Sequence, residues 1–212
     1  TKMMATGEVM AIGSSFEAAL LKGVRSLEIK QYTLERENSK SHSLEDLKRR
    51  VIVPDDERLF DLAELIRRDY MMEKICELTG MDPWFVKKIK NIVEKEEELK
   101  EYDLDTLTPE ILREYKKMGF SDKGIAQFVG CGGNEIYELR KKWNILPVYK
   151  MVDTCGAEFR ALTPYFYSTY DDVCESRERK TDKPCVVVLG SGPIRIGQGI
   201  EFDYSSVHCV WT

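Results

Sequence analysis

The stretch Asp82-Pro-Trp-Phe-Val-Lys-Lys-Ile-Lys-Asn-Ile-Val-Glu-Lys-Glu-Glu-Glu98 sets how the rest of the chain is read. An aspartate before a proline is a strong helix start. The Asp carboxylate accepts a backbone N–H, and Pro at the first helical position has no N–H to lose. Val86, Ile89 and Val93 then recur at three- and four-residue intervals, one face of a helix. The run Glu94-Lys-Glu-Glu-Glu98 is expected to form a solvated face. The same start recurs at Thr108-Pro109, with Gly119 as the stop. Ser121 opens a helix that ends at Gly130, and another runs from about Asn134 to Trp143. Upstream, Pro54-Asp55 opens a helix with Leu59, Leu62, Ala63 and Ile66 as its stripe, and Ile75 and Leu78 mark a short helix ending at Gly80. From Leu44 to about Asn144 the pattern is helical almost throughout.

Outward from this block the signals weaken. Ser14 or Ser15 can cap a helix that puts Phe16, Leu20, Val24 and Leu27 on one face. Residues 30–43 are polar, contain Ser39, Ser41 and Ser43, and have no period; they read as a linker. After Pro147 the character changes. Tyr165-Phe-Tyr-Ser-Thr-Tyr170 is β-prone, and the polar stretch from Glu175 to Lys183 reads as a second linker. Cys185-Val-Val-Val-Leu189 is a continuous apolar run of the kind found in parallel sheets, and it enters Gly190-Ser-Gly-Pro-Ile-Arg-Ile-Gly197. The expected fold is mainly α: an irregular helical bundle with a short α/β segment at its C-terminal end.

The balance of 42% hydrophobic and 33% charged residues over 212 residues suits a folded soluble domain, and no apolar run approaches the roughly 20 residues of a membrane span. Without a signal peptide the default compartment is the cytoplasm. The net charge of −5 disfavours a nucleic-acid binder, which needs Lys and Arg against phosphates. The six cysteines are spread without a CxxC, so no zinc or redox motif is formed, and reduced thiols are expected. The start at Thr1-Lys2-Met3-Met4 and the stop at Trp211-Thr212 suggest an internal piece of a longer chain.

The glycine loop could cradle a phosphate at a helix start. The dinucleotide fingerprint, however, needs glycine where Arg195 stands, and there is no GK[ST] of a P-loop. The segments 75–86 and 123–143 each have a short helix, a glycine turn and a second helix, as in DNA readers, and Arg140, Lys141 and Lys142 could meet phosphates. An independent helical DNA-binding protein is therefore the alternative reading, which the acidic balance disfavours. His42 and His208 sit in no catalytic motif, and Asp55-Asp56-Glu57 reads as a helix start favoured by the dipole, not as a metal site. Trp84, Phe85, Trp143, Tyr165, Phe166, Tyr167 and Tyr170 read as core or interface anchors.

The order Gly190, Gly192, Gly197, Gly199, then Glu201-Phe-Asp-Tyr204 resembles the start of a synthetase half in the carbamoyl-phosphate synthetase large-subunit family. Thr6-Gly-Glu-Val-Met-Ala11 looks like the end of that family's preceding ATP-grasp domain. Asp82-Pro-Trp-Phe85, Met118-Gly-Phe-Ser-Asp122, Leu146-Pro-Val-Tyr-Lys150, Val152-Asp-Thr-Cys155, Ala157-Glu-Phe159 and Tyr167-Ser-Thr-Tyr170 resemble its oligomerisation domain. The resemblance implies three parts: 1–29 as an ATP-grasp tail, 30–180 as the helical oligomerisation domain, and 181–212 as the first strand and glycine loop of a pre-ATP-grasp domain. It implies an ATP-dependent carbon–nitrogen ligase that makes carbamoyl phosphate, for arginine and pyrimidine synthesis, from bicarbonate, glutamine-derived ammonia and two ATP. This segment would be a non-catalytic connector within it. No catalytic, cofactor or metal residue is expected here; ATP and magnesium or manganese belong to segments outside this chain. The implied partners are the rest of the large subunit, a glutaminase small subunit and a second copy through the helical domain, with no nucleic acid and no membrane. Arg195, Gly199 and Glu201 are the residues that the resemblance places along the carbamate passage.

Overall fold

The computed structural model describes residues 9–27, 29–176, 183–189 and 200–212, with the backbone alone for 200–203 and 205. The order is α1 (Phe16–Ser26), α2 (Glu37–Ser41), α3 (Leu44–Arg50), α4 (Arg58–Arg67), α5 (Met72–Thr79), α6 (Pro83–Leu99), α7 (Pro109–Met118), α8 (Asp122–Val129), α9 (Gly133–Lys142), β1 (Val148–Met151), β2 (Phe166–Thr169) and α10 (Ile200–Trp211). The chain is mainly helical, as expected.

Local chemistry sets the boundaries. Asp82 caps α6 through Trp84 N–H, Thr108 caps α7 through Ile111 N–H and Ser121 caps α8 through Gly124 N–H. Gly80, Gly119 and Gly130 close α5, α7 and α8 in the left-handed conformation, as the glycine stops predict. Only at Gly119 is space also limiting: a Cβ there would lie 2.6 Å from Ala18 Cα, so the end of α7 abuts the backbone of α1.

The longest helix, α6, is the spine and packs against α1, α4, α5 and α8. The core takes Leu21 and Val24 from α1, Phe60, Leu62 and Leu65 from α4, Val86, Ile89 and Ile92 from α6, and Leu112, Tyr115 and Phe120 from α7 and its exit. On α1 the buried face runs through Ala18, Leu21 and Val24, not through Phe16. Phe16 turns instead toward Trp84 and Phe85.

Three stretches depart from the expectations. Residues 30–43 are not a free linker: they contain α2 and bury Thr33, Leu34 and Ser39. Glu96 does not lie on a solvated face. It is fully buried, accepting from Leu34 N–H at 2.6 Å and from Arg67 Nη2 at 2.5 Å. Its position three residues after Val93 puts it on the apolar side of α6, where only a cation and a backbone donor make a carboxylate tolerable. Residues 185–189 form no strand, and Val186, Val187 and Leu189 are exposed. A parallel-sheet strand takes its shape from neighbours on both edges, and no described residue pairs with this one.

The β-prone run does form a strand. β2 pairs antiparallel with β1, in the register Val148↔Thr169 to Met151↔Phe166. This hairpin lies against the helical body. Lys22 Nζ of α1 donates to Ile12 O and Ser168 O, each at 2.6 Å, and Lys117 Nζ of α7 meets Asp172 at 2.8 Å.

Candidate functional site

Two surfaces on this body lack cover. The first is aromatic. Pro83 starts α6 so that Trp84 and Phe85 fall on its first turn, beside the first residue of α1. Phe16, Trp84 and Phe85 meet edge to face, with centroids 5.0–5.5 Å apart. Trp84 is nevertheless 50% and Phe85 43% exposed. Lys88, one turn along α6, places its ammonium 5.4 Å from the Trp84 ring and pairs with Glu17 at 3.1 Å. The trio is amphipathic at its edge, the chemistry of an interface anchor.

The second lies on the 152–165 connection of the hairpin. Asp153 accepts from Cys155 N–H and Ala157 N–H, folding the loop over itself. Phe159, Leu162 and Tyr165 stay 66–78% exposed beside a cleft of about 580 Å³ that is lined by Met151, Phe159, Leu162, Phe166 and Glu175.

The other expected anchors divide. Trp143 and Tyr170 pack against the core, whereas Tyr165 faces solvent. The basic end of α9 is partly engaged within the molecule. Arg140 pairs with Asp122 at 2.8 Å and lies over the Tyr137 and Tyr170 rings, and Lys141 pairs with Glu138 at 3.6 Å. Both helix–turn–helix-like segments therefore serve as packing units, α5 on α6 and α8 on α9. Asp55 caps Glu57 N–H and Glu57 pairs with Arg36 at 2.6 Å, so the acidic triplet is a turn and an ion pair. The six cysteines are free thiols. Among the described residues no helix is long and apolar enough to cross a membrane, and no group of three or more His, Cys, Asp or Glu could hold a metal ion. Arg195 and Gly199 lie outside the described residues. Glu201 is in the first turn of α10, its side chain likewise outside the description.

Two joints that the sequence reading missed cross-link the helices of the body. Asp61 of α4 is fully buried, accepting from Ser39 Oγ and Arg50 Nε at 2.7 Å each, which locks α2 and α3 to α4. Arg67 links Glu64, Glu96 and Glu97, and Lys100 joins Glu97 to Glu35 at 2.7 Å. Desolvation holds the Glu96 carboxyl up at about 7 although Arg67 opposes it.

An exposed, edge-to-face aromatic cluster on a helical unit is the chemistry of an assembly module. The family profile "Carbamoyl-phosphate synthetase large chain, oligomerisation domain" matches residues 8–144, and "Carbamoyl phosphate synthase preATP-grasp domain" matches residues 182–212. The chain belongs to the carbamoyl-phosphate synthetase large-chain family. It is 61% identical over 210 residues to the carbamoyl phosphate synthase large chain of Clostridium botulinum (strain Loch Maree / Type A3). It is 57% identical over 210 residues to that of Clostridium beijerinckii, and 56% over 213 to that of Clostridium perfringens (strain 13 / Type A). Each match covers 99% of this chain and 20% of the relative, so the chain spans about a fifth of the length of these curated relatives. The first profile begins at residue 8, and α1 shares the core of the later helices, ahead of the boundary expected near residue 30.

Proposed function

We propose that this chain is the connector and self-association segment of a carbamoyl-phosphate synthetase large chain, and that it contributes geometry, not chemistry. The observation that carries the reading is the uncovered Phe16–Trp84–Phe85 edge within the stretch matched by an oligomerisation-domain profile. That edge takes a second copy. The apolar 152–165 loop precedes the pre-ATP-grasp match in the chain and so takes the remainder of the large chain. The parent is then the ATP-dependent ligase that makes carbamoyl phosphate from bicarbonate, ammonia and two ATP in the cytoplasm, with ATP and magnesium or manganese bound elsewhere and a glutaminase subunit supplying ammonia. Carboxyphosphate and carbamate are unstable in water, so a rigid body that fixes the two halves preserves the closed path between them. Arg195, Gly199 and Glu201 line that passage in this proposal, and Gly199→Trp in the full enzyme should abolish glutamine-dependent synthesis.

Light scattering over a concentration series tests the self-association. The wild-type chain should approach twice its 24.5 kDa mass. The Trp84→Ala/Phe85→Ala double variant should stay monomeric to at least about tenfold higher concentration, the loss of one moderate hot spot. Both positions are half exposed, so circular dichroism should match wild type. A wild-type monomer throughout, or an equal mass for both proteins, would refute the assignment of this edge.

A further inference from the structure

A separate cavity of about 230 Å³ lies between α1, α7, α8 and β2, lined by Lys22 and Arg25, Lys116 and Lys117, Ser121, Ser168 and Tyr170 among others. Four cationic residues and one acidic residue, Asp122, thus line one space. Two of the cations are neutralised: Lys116 by Asp122 at 2.7 Å, and Lys117 by Asp172 at 2.8 Å. The other two, one turn apart on α1, make no ion pair among the described residues. Lys22 Nζ donates to the Ile12 and Ser168 carbonyls, and Arg25 Nη1 to the Gly119 carbonyl at 2.8 Å. Asp171, the carboxylate that acts on Lys22, is itself held by Lys150 at 3.2 Å.

This crowding has an energetic signature. Desolvation and then the charge of Arg25 lower the Lys22 ammonium, and desolvation lowers Arg25. Lys116 is pushed down to about 8 by desolvation, with Asp122 opposing and Arg140 and Arg25 adding to the fall. Neutral donors would satisfy the same carbonyls without repelling one another. Cations partly withdrawn from water and short of counter-charge leave a positive potential, strengthened by the low dielectric around it.

We propose that this cavity binds a small oxyanion of the phosphate class, with Lys22 and Arg25 as its unpaired cationic partners. An arginine fork beside ammonium point charges matches a multiply charged oxyanion better than a single carboxylate. The volume is below the roughly 300–1,000 Å³ of sites for drug-sized ligands, which favours inorganic phosphate or a small phosphorylated metabolite over a nucleotide.

Isothermal calorimetry of the 212-residue chain with inorganic phosphate, at constant ionic strength balanced with chloride, is the test. One saturable site is expected, weakened about tenfold or more by Lys22→Gln or by Arg25→Gln. Lys142→Gln, an exposed lysine outside the cavity lining, should change nothing. If Arg25→Gln fails to fold by circular dichroism, Lys22→Gln alone decides. Acetate in place of phosphate separates the two sources of negative charge. Tighter acetate than phosphate would overturn the proposal in favour of a protein carboxylate as the occupant. No saturable phosphate heat, or equal binding by wild type and Lys22→Gln, would also overturn it.

Discussion

Replacing Glu96 by glutamine should abolish a pH dependence of stability that the wild-type chain carries between about pH 8 and pH 5.5. Burial of this carboxyl raises its pKa from 4.5 to about 7. Unfolded, the group titrates near the ordinary value. Between the two values the folded chain therefore holds a proton that the unfolded chain has released. The stabilising contribution is complete below the unfolded pKa and is lost as pH rises through about 7. A displacement from 4.5 to about 7, with the opposing charge of Arg67 already contained in it, corresponds to about 3 kcal/mol in full, of which about 2 kcal/mol is gained between pH 8 and pH 5.5 and the rest below it. Glutamine keeps an acceptor for Leu34 N–H, and Arg67 retains Glu97 at 2.6 Å and Glu64 at 3.3 Å. Urea unfolding of both proteins at several pH values measures the effect. Wild type should gain about 2 kcal/mol relative to Glu96→Gln on acidification across this window. Lys116, titrating at about 8, is common to both and drops out of the difference. Stability curves that run parallel in pH would refute the reasoning.

Gly119→Ala should cost about 3 kcal/mol or more, because its φ of +101° and the 2.6 Å approach to Ala18 Cα combine backbone strain with a main-chain clash. Gly80→Ala, at φ +68° with open space around it, should cost only about 1–2 kcal/mol in the same urea assay. Phe120→Ala removes a ring that is 1% exposed and packed edge to face on Tyr115 at 5.4 Å. It should cost about 3–5 kcal/mol, read as a lowered urea midpoint with an unchanged slope.

What could be read in the sequence was what local chemistry determines alone. Asp82-Pro83, Thr108-Pro109 and Ser121 start helices because their caps act within three residues, and Gly80, Gly119 and Gly130 end them because only a left-handed residue fits. What escaped was set by partners distant in the chain. Thr33 and Leu34 are buried because α6 offers Glu96 to the Leu34 N–H across 62 residues. Their own neighbours carry no period to announce it. The burial of Glu96 itself was legible in the spacing Val86, Ile89, Val93, Glu96, but a run of charge masked the periodicity. Of the proposed interface, the aromatic residues were visible and their exposure was not. Trp84 is uncovered and Trp143 packed because of where α6 and α9 sit, which no local pattern encodes.

The Lys22 tether has a topological consequence. Its ammonium joins the carbonyls of Ile12 and Ser168, and Ser14 Oγ reaches Asp171 at 3.4 Å. The segment that leads into α1 and the strand β2 that follows the last of the packed helices are therefore stitched together at one corner. A protease cut in the exposed turn 52–56 would sever the covalent path between the flanks yet leave them moored to each other.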